Sequence, residues 1–337
     1  MQHSIMLSDK AVEALIAFSW YRCDTKPNLE IAKHAMSMAK TSGDKRYIAS
    51  ALWCLGTVYH YLGEFYDAYD RLHEAYQLFN TLLPGDLELQ RFCCQCGIEM
   101  VVGARMTFND HIKVASLARD VEKQCANVSD DIRVRSLIML GTALMYSGDR
   151  QEALRHLEDA KLRLKAMGCF LLTEVCFWIA HVHYGDNRLP EALDAVKEAW
   201  EHAELSNNLM DRSETSFLFG MILFSANRDA EAWKYMEICL MTNLELGNRR
   251  DCATALEYMG YGYLRIGDYV NAYGAYEAAA EKYRGTVDEE IWGTTCKDNM
   301  AKIRDKQRNP DLNIGFERPG RDKDRCSLFY PAVQDIP

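Results

Sequence analysis

No apolar run in this chain approaches the roughly 18 residues that cross a bilayer. Asp9, Lys10 and Glu13 interrupt the apolar residues at its start, which argues against a secretory signal. Positive charge is in deficit, because 39 lysines and arginines face 49 aspartates and glutamates, for a net charge of -10. With no long basic run either, nucleic acid and anionic membrane are poor candidates as partners. Catalytic signatures are also missing. There is no nucleophile elbow, phosphate loop or paired-carboxylate motif, which weighs against an enzyme, and nothing calls for a cofactor. The 12 cysteines are scattered, so reduced thiols in a cytoplasmic protein are expected rather than a disulfide framework. The sequon Asn127-Val128-Ser129 is then silent.

What the chain does have is an interval. A small residue (Gly56, Gly141, Ala180, Gly220, Gly260) is followed twelve positions on by Ala68, Ala153, Ala192, Ala232 and Ala272. Nineteen positions on come Ala75, Ala160, Ala199, Cys239 and Ala279. Small residues recur where two helix backbones cross closely. Leu52, Leu55 and Tyr59 flank Gly56 at helical spacing, as Leu256, Met259 and Tyr263 flank Gly260, and each set lays one apolar stripe along a first helix. Ala68, Leu72 and Ala75 make the stripe of a second helix. Between the two lie polar turns (Gly63-Glu64, Gly148-Asp149, Asn187-Arg188, Asn227-Arg228, Gly267-Asp268), where Gly or Asn accepts the left-handed backbone that ends a helix. The pattern predicts an all-α array of antiparallel helix pairs. Gly97 fits as a starting residue, but Asn109 and Ser116 fall where small packing residues belong. An insertion near Met106 to Asp110 would restore Ala115 and Ala118 to those positions.

These residues resemble the tetratricopeptide repeat. That family carries Gly or Ala at its eighth position, often Tyr at its eleventh, and Ala at its twentieth and twenty-seventh. Gly56, Tyr59, Ala68 and Ala75 match all four, as do Gly260, Tyr263, Ala272 and Ala279. Starting residues 39 to 44 apart, rather than about 34, are similar to the long-repeat subclass of kinesin light chains and of the sensor regions of signalling ATPases. The resemblance implies a right-handed α-solenoid of about seven helix pairs over residues 8–308, read as a single domain. Its first unit, 8–41, is degenerate; 288–308 forms a closing helix, and 309–337 an extended tail.

Several motifs dissolve into this register. Cys93, Cys94 and Cys96 form a CxxC with an extra thiol, but they sit within a first helix rather than at a helix start, so they read as small core residues. His181 and His183, two apart on a helix, point to different faces and make a poor shared metal site, with His183 in the packing stripe and His181 toward the groove. His73-Glu74 lacks the second histidine of HExxH, since Gln77 stands there. No metal is expected.

In the family, the first helices line a concave surface. Carried over position by position, that surface comprises Trp53, Thr57, His60 and Tyr61, then Arg91, then Arg135 and Tyr146. It continues with Glu174, Phe177, His181 and Tyr184, with Glu214, Phe217 and Phe224, and with Glu257 and Tyr261. Two readings compete for so aromatic a lining. The side chains pack on each other across a narrow groove, or they form an exposed concavity for a peptide or an apolar small molecule. Arg91 and Arg135 lie in the first half and Glu174, Glu214 and Glu257 in the second, a segregation that would orient a peptide unless these are simply solvated helix starts. The family's carboxylate clamp of Lys and Asn is not matched, because Trp53 and Thr57 occupy its positions.

The resulting expectation is a cytoplasmic scaffold or adaptor that holds a peptide segment of a partner protein in the groove. The alternative is a small-molecule-binding protein or enzyme using the same concavity, with Glu174, Glu214, Glu257, His60 and His181 as acid and base groups. The tail carries four of the 7 prolines and a charged stretch from Arg318 to Arg325, yet ends in the apolar Leu328-Phe329-Tyr330-Pro331. It is expected to fold back onto the solenoid.

Overall fold

The computed structural model describes residues 26–82, 86–168, 172–285 and 289–316. The described residues form fourteen α-helices and one π-turn, with no strand among them. They divide into two compact units, parted between Ala166 and Met167. The first contains α1 (Lys26–Ser42), α2 (Lys45–Tyr61), α3 (Phe65–Leu82), α4 (Leu87–Thr107), α5 (His111–Cys125), α6 (Asp130–Ser147) and α7 (Arg150–Met167). The second contains α8 (Leu172–Gly185), α9 (Leu189–Ser206), α10 (Leu209–Ser225), α11 (Asp229–Leu246), α12 (Arg249–Arg265), α13 (Tyr269–Tyr283) and α14 (Thr294–Arg308). None is long and apolar enough to cross a membrane.

Helix boundaries follow from local chemistry. The carboxylate of Asp86 accepts from the backbone N–H groups of Glu88 and Leu89 at the start of α4, and Asp110, Asn208, Asn248 and Asp268 cap α5, α10, α12 and α13 in the same way. Each such cap stabilises its helix by about 1 kcal/mol. Left-handed residues end five of the first helices, as expected from the turn sequences, whereas α4 ends at the extended Phe108. Gly148 at φ 92° closes α6, and Asn187 at φ 60° follows α8.

The crossing points have one construction. A Cβ on Gly56 would lie 2.7 Å from Leu72 Cγ, one on Gly141 2.6 Å from Leu157 Cγ, and one on Gly220 2.7 Å from Met236 Cε. On Gly260 it would meet the Tyr276 ring at 3.1 Å. Each glycine thus seats the large buried side chain sixteen residues further on, at the middle of the second-helix stripe. The alanines twelve and nineteen residues on are buried beside it. Gly97 breaks the interval, since its Cβ would meet Val121 Cγ1 at 3.0 Å and Tyr76 Cε2 at 2.9 Å. The cause is length. Helix α4 has 21 residues against 17 in α2, and Ala115 and Ala118 of α5 are buried as the insertion requires.

At the end of the second unit, a π-turn at Glu289–Gly293 leads into α14, which closes the last pair by burying Cys296 and Ile303 against Ala272, Tyr276, Ala279 and Tyr283. Phe316 packs against the same cluster, with its ring 6.3 Å from that of Tyr269. Residues 8–25 of the degenerate first unit, the stretch Arg318 to Arg325 and the cluster Leu328 to Pro331 lie outside the described residues.

Candidate binding faces of the first helices

In the first unit, the candidate positions fall on α2, α4 and α6, and Trp53 and Thr57 meet at a carboxylate that the groove register passes over. Glu99 Oε2 accepts from Trp53 Nε1 at 3.0 Å and from Thr57 Oγ1 at 2.6 Å. Burial raises the Glu99 pKa above the ordinary carboxylate value, against the opposing pull of these two hydrogen bonds and of Arg135. Trp53 itself is only 3% exposed, edge-on to Phe79 at 6.2 Å and tilted against Phe92 at 5.8 Å. It therefore packs between repeats and offers no free ring to a ligand. Thr57 is partly buried beside it.

His60 is likewise buried, with Phe65 and Tyr61 ring centroids 5.6 Å and 6.1 Å away. Burial, with the Arg105 charge nearby, lowers its pKa to about 4, so it is neutral at physiological pH. Tyr61 and Tyr146 stay partly exposed, and Arg105 stacks over the Tyr146 ring at 5.0 Å. Arg91 is exposed but paired with Asp131 at 3.2 Å, whereas Arg135 is exposed beside Glu99.

In the second unit the corresponding helices are α8, α10 and α12. Phe177, 4% exposed, packs edge-on against His181 at 4.7 Å and Trp178 at 5.3 Å. His181 is 7% exposed rather than turned to solvent, because this aromatic cluster covers it, and burial lowers its pKa to about 3. His183 is buried as well, as its stripe position requires. Phe224 is 2% exposed and edge-on to Trp233 at 5.9 Å. Glu257 is fully buried and accepts from the Tyr283 hydroxyl at 3.2 Å, so it does not offer a solvated charge.

What remains partly exposed is Tyr184, whose hydroxyl bonds Ser225 Oγ at 2.9 Å, Phe217, edge-on to Tyr258 at 5.1 Å, and Tyr261. Glu174 is exposed. Glu214 is partly buried and lines a cavity of about 20 Å³. Ser213, Glu214 and Phe217 of α10, Cys239 and Asn243 of α11, and Asp251 and Thr254 of α12 line it. The Glu214 pKa stands well above the ordinary value, first through burial and then through the negative charges of Asp251, Asp211 and Glu174.

The cysteine cluster is packing. The nine described cysteines are all buried and unbridged. Burial pushes the Cys93 thiol up to about 12 and the Cys96 thiol well up, whereas a hydrogen bond with Cys125 lowers the Cys94 thiol against the effect of its burial. Among the described residues, no group of three or more His, Cys, Asp or Glu could hold a metal ion.

The face thus differs in kind from an open aromatic lining. Its largest rings are structural, and the exposed part is a set of tyrosines and Phe217. Sequence reasoning passes over Glu99 and Asn243 because neither sits at a groove position. Their partners lie on neighbouring helices, and a single-helix register does not contain that information.

No family model matches the chain, and no curated protein matches it. Among solved structures it is similar to the apo form of RapI, at 13% identity and a TM-score of 0.62 over 81% of this chain and 97% of that one. It is similar to the Rap conjugation gene regulator of the plasmid pLS20 in complex with the Phr* peptide, at 11% identity and a TM-score of 0.54 over 91% and 99%. A signal transduction ATPase with a tetratricopeptide repeat sensor from Pyrococcus horikoshii matches at 15% identity and a TM-score of 0.55 over 85% and 47%. At such identities the likeness is one of architecture, and the architecture of this chain is that of a tetratricopeptide-like helical repeat protein.

Proposed function

We propose that this protein is an interaction scaffold that holds an extended peptide segment of a partner protein against its first helices. One observation carries the reading. After the structural rings are set aside, Tyr61 and Tyr146 in the first unit, and Phe217 and Tyr261 in the second, remain partly exposed at positions where stacking of repeats does not require an aromatic. Amphipathic rings of this kind, held rigidly, are the usual anchors of peptide recognition. In the first unit, the exposed Arg135 adds a charge on α6, the helix that also carries Tyr146. A fold neighbour whose structure is in complex with the Phr* peptide supports the same reading by analogy of architecture. In this reading the repeats over 8–308 serve one binding function, and the compartment is the cytoplasm.

The test uses a displayed library of random linear peptides selected on the full chain. Tyr61→Ala with Tyr146→Ala, and Phe217→Ala with Tyr261→Ala, should each weaken the selected peptides at least tenfold while circular dichroism is unchanged, given about 1–2 kcal/mol per anchor. Equal binding to all forms, or no peptide selected, would overturn the proposal.

A further inference from the structure

In the reduced chain the clustered thiols of α4 are packing, and two of them are nothing more. Cys93 is a buried core residue, and the Cys96 thiol donates to the Leu72 carbonyl of α3 at 3.4 Å. Cys94 is different, because its sulfur accepts a hydrogen bond from the thiol of Cys125 on α5.

The helix crossing makes this pairing a consequence of register. Helix α5 doubles back on α4, and the two approach closely at Gly97, where a Cβ would meet Val121 Cγ1 at 3.0 Å. Cys94 precedes Gly97 by one turn, and Cys125 follows Val121 by one turn. Steps of one turn in opposite chain directions on antiparallel helices lead to the same level, so the two sulfurs face each other. From α3, the Tyr76 hydroxyl donates to Gln124 Oε1 at 2.8 Å and holds the end of α5 against the crossing. Cys125 is the last residue of α5, and helix ends open most readily.

The two thiols are chemically unequal. The hydrogen bond between them lowers the Cys94 pKa, despite burial, and raises that of Cys125. Cys94 is thus the nucleophile of the pair, and Cys125 the thiol that resolves it.

From this arrangement we infer that Cys94 and Cys125 form a peroxide-responsive modification site, which closes into a disulfide joining α4 to α5. The Cys94 thiolate attacks one oxygen of hydrogen peroxide, the O–O bond breaks, and the sulfur becomes a sulfenic acid while the displaced hydroxide takes up the thiol proton as water. Cys125 then attacks the Cys94 sulfur. The S–O bond breaks, the S–S bond forms, and the Cys125 proton leaves in a second water molecule. The thiol pair loses two electrons, and the peroxide gains them. Cys94 is 2% exposed, so oxidation waits on opening of the last turn of α5, and the product holds that turn shut.

The first test needs no variant. The reduced full chain is exposed to hydrogen peroxide, remaining thiols are blocked with N-ethylmaleimide in denaturant, and proteolytic peptides are mapped by mass spectrometry. A link between the segments carrying Cys94 and Cys125, lighter by two hydrogen atoms than the separate peptides and reversed by dithiothreitol, is expected. Amide hydrogen exchange at the end of α5 should slow about tenfold or more on oxidation, while that of α13 stays unchanged. Cys94→Ala and Cys125→Ala should each reduce the yield of the link at least tenfold, and Cys93→Ala should leave it intact. Because the mapping uses the native chain, a variant that fails to fold does not shield the proposal. No link, a link made through Cys93, a bridge between Cys93 and Cys96, or terminal oxidation of Cys94 without a link would each overturn it.

Discussion

Gly56 and Leu72 stand so close that a methyl group on the glycine would lie 2.7 Å from Leu72 Cγ, closer than carbon atoms approach, and Gly141 repeats the relationship with Leu157 at 2.6 Å. Gly56→Ala and Gly141→Ala should therefore each destabilise the protein by about 1–3 kcal/mol through overpacking. Gly274 in α13 is the internal control. It is exposed and helical, and a Cβ there would meet nothing within 4 Å, so Gly274→Ala should stabilise by about 0.5–1 kcal/mol. Urea midpoints at constant m-value measure all three, and equal effects at the three glycines would refute the crossing-point account.

His181 predicts a pH dependence of known sign. Its folded pKa is depressed to about 3, whereas an unfolded histidine titrates near 6.5. Between those values the unfolded chain binds the proton and the folded chain does not, so stability falls as pH falls below about 6.5. Glu99, Glu214 and Asp211 carry raised pKa values and act in the opposite direction on acidification. A difference against His181→Gln isolates the imidazole. Between pH 6.5 and 5, the wild-type chain should lose about 1–2 kcal/mol relative to that variant; a constant difference would mean that the buried ring titrates normally.

Glu99 separates charge from hydrogen bonding. With its pKa raised, the ionised carboxylate is disfavoured in the folded state at neutral pH, so Glu99→Gln, which keeps an acceptor for Trp53 and Thr57, should match or exceed wild-type stability at pH 7.5. The advantage should close as pH falls and the native carboxyl takes up its proton. Glu99→Leu removes the carboxylate that accepts from the Trp53 indole N–H, while the Thr57 hydroxyl keeps the Trp53 carbonyl at 3.0 Å, and should lose about 1–3 kcal/mol at every pH. Thermal melts of both variants across pH decide the point.

The repeat architecture is legible in the sequence because steric demand at a crossing leaves a periodic trace. Gly56, Gly141, Gly220 and Gly260 mark it directly, and the lengthened α4 shows itself through Asn109 and Ser116 where alanines belong. Left-handed turns at Gly148 and Asn187 are legible for the same kind of reason. The state of the binding face is less so. Position on a first helix says that Trp53, Phe177 and Phe224 point toward the groove side, but Phe92, Trp178 and Trp233 decide whether they are covered. The register assigns these last three residues no role. Glu99 escapes it because its partners lie 42 and 46 residues earlier, on another helix.

The closing helix makes a sharp stability prediction. Ile303 is fully buried against Tyr276 and Tyr283, and no further repeat is stacked on the far side of α14 among the described residues. Ile303→Ala should cost about 2–4 kcal/mol. Hydrogen exchange should accelerate first in α13 and α14, since a solenoid transmits the loss to its nearest neighbours before more distant pairs. Uniform acceleration through both units would contradict a nearest-neighbour account.

The buried thiols have a use that their inertness conceals. Cys54, Cys125, Cys176, Cys239, Cys252 and Cys296 are spread over six different helices, each sealed in the native chain. An alkylating reagent can reach each sulfur only when its own stretch of the array opens. The mass-tagging rate at each cysteine is therefore a built-in local clock, and the native chain, with no added probe, can report which repeats breathe when a partner is captured.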